Sequence, residues 1–114
     1  MEQYSTRQNK LSRLIQREMS DILLQLTKTN YHGKLISVTI VRVTKDMGLA
    51  RIYLSIYPSS SAKEILSEIQ MHGKAIRGDL GRRIGKVVRI IPELEFYIDD
   101  SLDYIEHLDD LLKK

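Results

Sequence analysis

The residue types able to do bond chemistry are few in this chain, and their spacing assembles none of the familiar sites. The three histidines, His32, His72 and His107, lie 35 or more positions apart. No HxH or HxxxH pair is present to seed a metal site. Cysteine is absent, which excludes a thiolate nucleophile, a disulfide framework and a Cys-based zinc site. Asp99, Asp100, Asp103, Glu106, Asp109 and Asp110 form a dense acidic run. Its first members fall where a helix would start, a place that favours negative charge, and the rest fall on that helix's outer side. No serine stands in a nucleophile elbow, and neither GxxxxGK[ST] nor GxGxxG occurs. The pattern predicts neither an enzyme nor a cofactor or metal protein.

The basic residues are patterned. Arg7, Lys10, Arg13 and Arg17 recur every three or four positions, Lys74, Arg77, Arg82, Arg83 and Lys86 form a second set, and Arg89 follows. The net charge is only +3, but it is segregated. Basic residues outnumber acidic ones by five in 1–57 and by four in 58–91, whereas acidic residues lead by six in 92–114. Any one of these cations reads most simply as a solvated side chain lying over the core. Together they make a surface suited to phosphate, which Arg and Lys grip without reading base identity. Gly78-Asp79-Leu80-Gly81 matches the GxxG loop with which KH domains hold a nucleic-acid backbone. Helical phase runs through it from Ile76 to Ile84, however, and Asp79 would face phosphate, so Gly73 is the better break.

These groups must be carried by a small scaffold. With 114 residues, 42% apolar and 29% charged, the chain has the size and balance of one globular domain. Leu11, Leu14, Ile15, Met19, Ile22, Leu23 and Leu26 give a helical stripe from Ser5 to Leu26, opened by a Ser5–Gln8 capping box. After a loop at 27–34, residues 35–44 and 49–57 read as a β-hairpin across Lys45-Asp46-Met47-Gly48. The inward parity changes near Ile40, the signature of a bulge. Ser61 with Glu64 predicts a second capping box and a helix that pauses at Gly73, resumes to Ile84 and stops at Gly85. Alternation predicts a strand over 87–98 with Pro92 inside it, near an edge or bulge. A last helix, capped by Asp100 or Ser101, carries Leu102, Ile105, Leu108 and Leu112. The outward tyrosines Tyr53, Tyr57 and Tyr97 lack the RNA-recognition-motif pattern and read as cross-strand packing. The fold class is α+β, a three-stranded sheet with helices packed on one face, in the order α-β-β-α-α-β-α.

At this point the chain resembles bacterial ribosome-binding factor A over about residues 5–112. The resemblance rests on the stretch from Arg13 to Leu23, on Ile36 to Met47 followed by Ala50 to Ser55, and on Ile76-Arg77 with Leu80-Gly81. Pro92 to Phe96, then Asp99 and Ser101, complete it. Where the family carries A-x-G between its helices, this chain reads Met71-His72-Gly73-Lys74. The resemblance implies a single KH-type II-like domain over 1–114 that binds free or immature small (30S) subunits. It implies assistance to late 16S rRNA processing and folding near the 5′ end, with its greatest importance in the cold, and action by binding rather than catalysis. The expected RNA-binding residues are Arg7, Lys10, Arg13, Arg17, Lys45, Gly73, Lys74, Arg77, Arg82, Arg83, Lys86 and Arg89. The expected partners are the small subunit and its 16S rRNA, with ribosomal proteins as candidates. A different function class, a protein-interaction module docking a basic partner through the acidic C-terminal helix, is the alternative. No apolar run nears the roughly 20 residues that span a bilayer, and Met1-Glu2-Gln3-Tyr4 does not open a signal peptide. A cytoplasmic monomer without membrane contact is expected.

Overall fold

The structure, a computed structural model, describes residues 4–31 and 33–99. The predicted C-terminal helix, with His32 and His107, lies outside the described residues. The elements are α1 (Thr6–Asn30), β1 (Leu35–Val43), β2 (Leu49–Tyr57), a 3-10 turn (Ser59–Ser61), α2 (Ala62–Met71), α3 (Gly73–Ile84) and β3 (Glu93–Ile98). The strand order is β1-β2-β3, antiparallel between β1 and β2 and parallel between β2 and β3.

The capping box of α1 forms as expected. The Gln8 amide donates to Ser5 Oγ at 3.1 Å, and the Ser5 amide donates to Gln8 Oε1 at 2.8 Å. Gln8 Nε2 also donates to the Val43 carbonyl at 2.9 Å, pinning the start of the helix to the end of β1. The apolar stripe buries Leu11, Ile15, Met19, Ile22 and Leu23. The helix runs to Asn30, so half of the predicted 27–34 loop is helical. Thr27 and Thr29 sit in this extension with their hydroxyls donating back to the Leu23 and Gln25 carbonyls.

The hairpin has the predicted bulge, a register shift between Val38 and Ile40. Ile36, Val38, Val41, Val43, Ala50, Ile52, Leu54 and Ile56 are buried on one sheet face against the helices. Ile65 and Ile69 of α2 and Ile76, Leu80 and Ile84 of α3 close that core.

Two expectations are corrected. The Ser61–Glu64 capping box does not form: Ser61 already has helical backbone at the end of the 3-10 turn, and its hydroxyl accepts from Lys34 Nζ at 3.0 Å. Gly78-Asp79-Leu80-Gly81 lies inside α3 and the helix pair breaks at Gly73, as expected. The predicted strand from 87 begins only at Glu93, leaving Pro92 just before it and Ile90 exposed. The amides of Val87 and Val88 bond to the Ile84 carbonyl, so the segment after α3 turns on the helix end instead of joining the sheet. Gly85 makes that turn feasible, because a Cβ there would stand 2.6 Å from the Gly81 carbonyl oxygen.

Candidate nucleic-acid interface

Three pieces of chain meet at one end of the molecule: the first turns of α1, the β1–β2 turn and the segment from Val87 to Ile90. The β1–β2 turn is internally braced. Thr44 Oγ1 donates to Asp46 Oδ1 at 2.7 Å, the Gly48 amide donates to the same oxygen at 3.0 Å, and Met47 adopts a left-handed φ of 61°. The Gly48 amide, followed by the Thr44 hydroxyl, holds the Asp46 carboxyl below its ordinary range. The Glu93 amide donates to the Gly48 carbonyl at 2.9 Å, tying the start of β3 to this turn.

Two open cavities flank the turn and share Arg7 and Met47. The larger, about 710 Å³, gathers Arg7, Arg42, Lys45 and Arg51. The smaller, about 390 Å³, gathers Arg7, Lys10 and Arg89. Six cations thus converge, and among the described residues lining the two cavities Asp46 is the one acid. Arg42 and Arg51 are direct register partners across β1 and β2, an arrangement of like charges that is unfavourable unless each is otherwise engaged. Arg42 Nη1 donates to the Tyr4 hydroxyl at 3.2 Å, with its guanidinium 5.5 Å from that ring's centroid. Arg51 lies 3.6 Å from Glu95.

The expected site residues divide into three groups. Arg7, Lys10, Lys45 and Arg89 are brought together, and Arg13 and Arg17 continue the exposed face of α1. Gly73 and Lys74 begin α3, where Gly73 lines a separate cleft of about 330 Å³ with Gln70, Leu94 and Phe96. Arg82 is exposed and 3.9 Å from Asp79, and Lys86 is exposed beyond α3. Arg77 and Arg83 hold the fold. Arg77 donates from Nε to the Pro92 carbonyl at 2.9 Å and from Nη2 to the Ile91 carbonyl at 2.6 Å. Arg83 bridges α1 and α3, 2.6 Å from Asp21 and 3.4 Å from Asp79, and the Asp21 contact leads in raising its pKa.

Tyr53 and Tyr97 are cross-strand partners whose rings stack at 5.4 Å, as expected. The Tyr97 hydroxyl donates to Glu95 at 2.6 Å, which raises its pKa. Among the described residues no group of His, Asp and Glu is placed to hold a metal ion, and no helix is long and apolar enough to cross a membrane.

The family model described as ribosome-binding factor A matches residues 7–112. The chain belongs to the ribosome-binding factor A family. It is 47% identical over 110 residues to ribosome-binding factor A of Cytophaga hutchinsonii, covering 96% of this chain and 83% of that one. To the Flavobacterium psychrophilum protein of the same name it is 44% identical over 109 residues, covering 95% and 84%. The crystal structure of ribosome-binding factor A from Thermus thermophilus superposes with a TM-score of 0.67 at 21% identity, covering 83% of this chain and 97% of that one. A Thermus thermophilus ribosome-binding factor A fitted into a cryo-EM map of its 30S complex gives 0.62 at 21% identity, covering 78% and 91%.

Of the family stretches read in the sequence, Arg13 to Leu23 forms the middle of α1, and Ile36 to Ser55 forms the hairpin that carries the braced turn. Arg42 and Arg51 were missed by the sequence reading. The signal was available: both alternate outward on their strands, and the hairpin register with one bulge pairs them.

Proposed function

We propose that this member of the ribosome-binding factor A family binds the small ribosomal subunit through its 16S rRNA, using the cationic end as a phosphate-gripping surface. The supporting observation is the convergence of Arg7, Lys10, Arg42, Lys45, Arg51 and Arg89 around two adjoining cavities. Arg13 and Arg17 continue it along the exposed face of α1, and the exposed Lys74, Arg82 and Lys86 on and after α3 serve as outlying contacts, whereas Arg77 and Arg83 act by keeping α3 and its neighbours in place. Contacts of this kind supply affinity and orientation without base information. The factor assists late 16S processing and folding near the 5′ end by favouring one RNA arrangement over another, which requires only different affinity for the two. Its action is binding, with no bond chemistry, and its importance is greatest in the cold, where wrong RNA pairings persist. A ribosomal partner makes the cytoplasm its place of action.

Co-sedimentation with purified immature small subunits tests this. The wild-type protein should pellet with subunits at low salt and release as salt rises. The triple change Arg7→Glu, Lys10→Glu, Lys45→Glu should abolish co-sedimentation while leaving the circular-dichroism spectrum and unfolding midpoint near wild type. Intact binding by that variant would refute the assignment.

A further inference from the structure

We infer that the smaller of the two cavities is a pocket for one unstacked nucleobase, so that this end of the molecule binds single-stranded rather than paired RNA; the inference rests on the RNA-binding reading above. A surface built only for phosphate needs cations and no more. This cavity has another character. Leu14, Met47 and Val88, all packed against the core, line it together with Val87 and Ile90, which are 72% and 65% exposed. Exposed aliphatic side chains beside Arg7, Lys10 and Arg89 give this cavity a lining that is both apolar and cationic. That combination suits a nucleotide, whose base is flat and weakly solvated and whose phosphate is anionic. At about 390 Å³ the space falls within the range of roughly 300–1,000 Å³ typical of small-ligand sites. A base inside a duplex cannot enter it, because its faces are stacked and its edge is paired.

Asp46 fits this occupant as well. An acid would be out of place in a site for phosphate alone. Its Oδ1 accepts from Thr44 and Gly48, yet a carboxylate has about four lone-pair sites. It keeps acceptor capacity for the N–H donors on the edge of a base. The pocket is separate from the cleft between Gly73 and β3, and none of its lining belongs to α2 or α3.

Fluorescence anisotropy on the full chain tests the inference with three probes of about ten nucleotides: oligocytidylate, an abasic oligomer of the same backbone, and a duplex. Oligocytidylate should bind about fivefold or more tightly than the abasic oligomer and the duplex at low salt. The exposed-wall variant Val87→Ser with Ile90→Ser, which touches no buried packing, should lose that preference and keep the affinity for the abasic oligomer within about twofold. The methyl resonances of Leu14 and Val88 should shift on adding oligocytidylate and stay still with the abasic oligomer. Equal affinity for all three probes, or a wall variant that keeps the preference, overturns the pocket while leaving phosphate binding standing. If none of the probes binds and the protein also fails to co-sediment with subunits, the RNA-binding reading itself falls. Methyl shifts confined to other parts of the protein would place the base elsewhere and likewise refute the pocket.

Discussion

Gln8 belongs to two structures at once. Its amide and its side-chain oxygen complete the capping box with Ser5, while its side-chain nitrogen donates to the Val43 carbonyl, where the residue is buried. Replacing it with alanine removes the reciprocal half of the cap and leaves a strand carbonyl without its donor. The expected cost of Gln8→Ala is about 1–3 kcal/mol, read as a lower urea midpoint with an unchanged slope. Gln8→Glu keeps the reciprocal acceptor but turns a buried carboxylate toward the Val43 carbonyl, so while ionised it should cost more than the alanine change. The capping half of this residue was legible from the Ser5–Gln8 spacing. The other half was not, because it depends on a docking across 35 positions of sequence. The same limit explains Ser61. Its spacing to Glu64 is that of a capping box, but Lys34 reaches its hydroxyl from a distant loop.

At the scale of elements, the strongly periodic ones emerged with correct type: α1, both hairpin strands with their bulge, and the helix pair broken at Gly73. The segment from 87 to 92 misled because Val88 and Ile90 alternate like a strand, whereas its backbone partners lie on α3. Val87 and Val88 donate to Ile84, and the carbonyls of Ile91 and Pro92 are taken by the Arg77 guanidinium. Such capture of a connection by one side chain leaves no periodic trace. Arg77→Met retains most of the aliphatic stem and removes both donors, so it should destabilise the chain by about 1–3 kcal/mol. Hydrogen exchange should quicken at the amides of residues 87–91 before it changes in α1. Because that segment carries Val87, Val88, Arg89 and Ile90, base-dependent RNA affinity should fall with it, although Arg77 itself contacts none of the cavity. Equal exchange in the two proteins would show that the connection holds without the clamp.

On the scale of the whole molecule, the charge segregation read along the sequence is not kept in space by the described residues of the acidic stretch. Glu95, from the acidic C-terminal stretch, stands 3.6 Å from Arg51, and the two are register partners on β2 and β3. Asp99 accepts from Thr39 at 2.6 Å across the sheet. The acidic strand therefore borders the cationic end and partly neutralises it, something that a one-dimensional sum of charges hides. Its effect on RNA binding can be measured. With Glu95→Gln, Arg51 loses its carboxylate neighbour and the approaching phosphates lose a repulsive charge, while the amide oxygen still accepts from the Tyr97 hydroxyl. Both Arg51 and Glu95 are about half exposed, so the gain is that of a screened surface pair, a factor of about two to five in affinity. The change should be largest at low ionic strength and vanish as the Debye length falls to about 3 Å near 1 M salt. If Arg51 becomes a phosphate contact once freed, the plot of log affinity against log salt should also steepen, by about 0.7 for single-stranded RNA. A tighter complex with an unchanged slope would mean that Glu95 acts by repulsion alone. An unchanged affinity at low salt would mean that Arg51 and β3 lie outside the footprint, confining the RNA to Arg7, Lys10, Lys45 and Arg89.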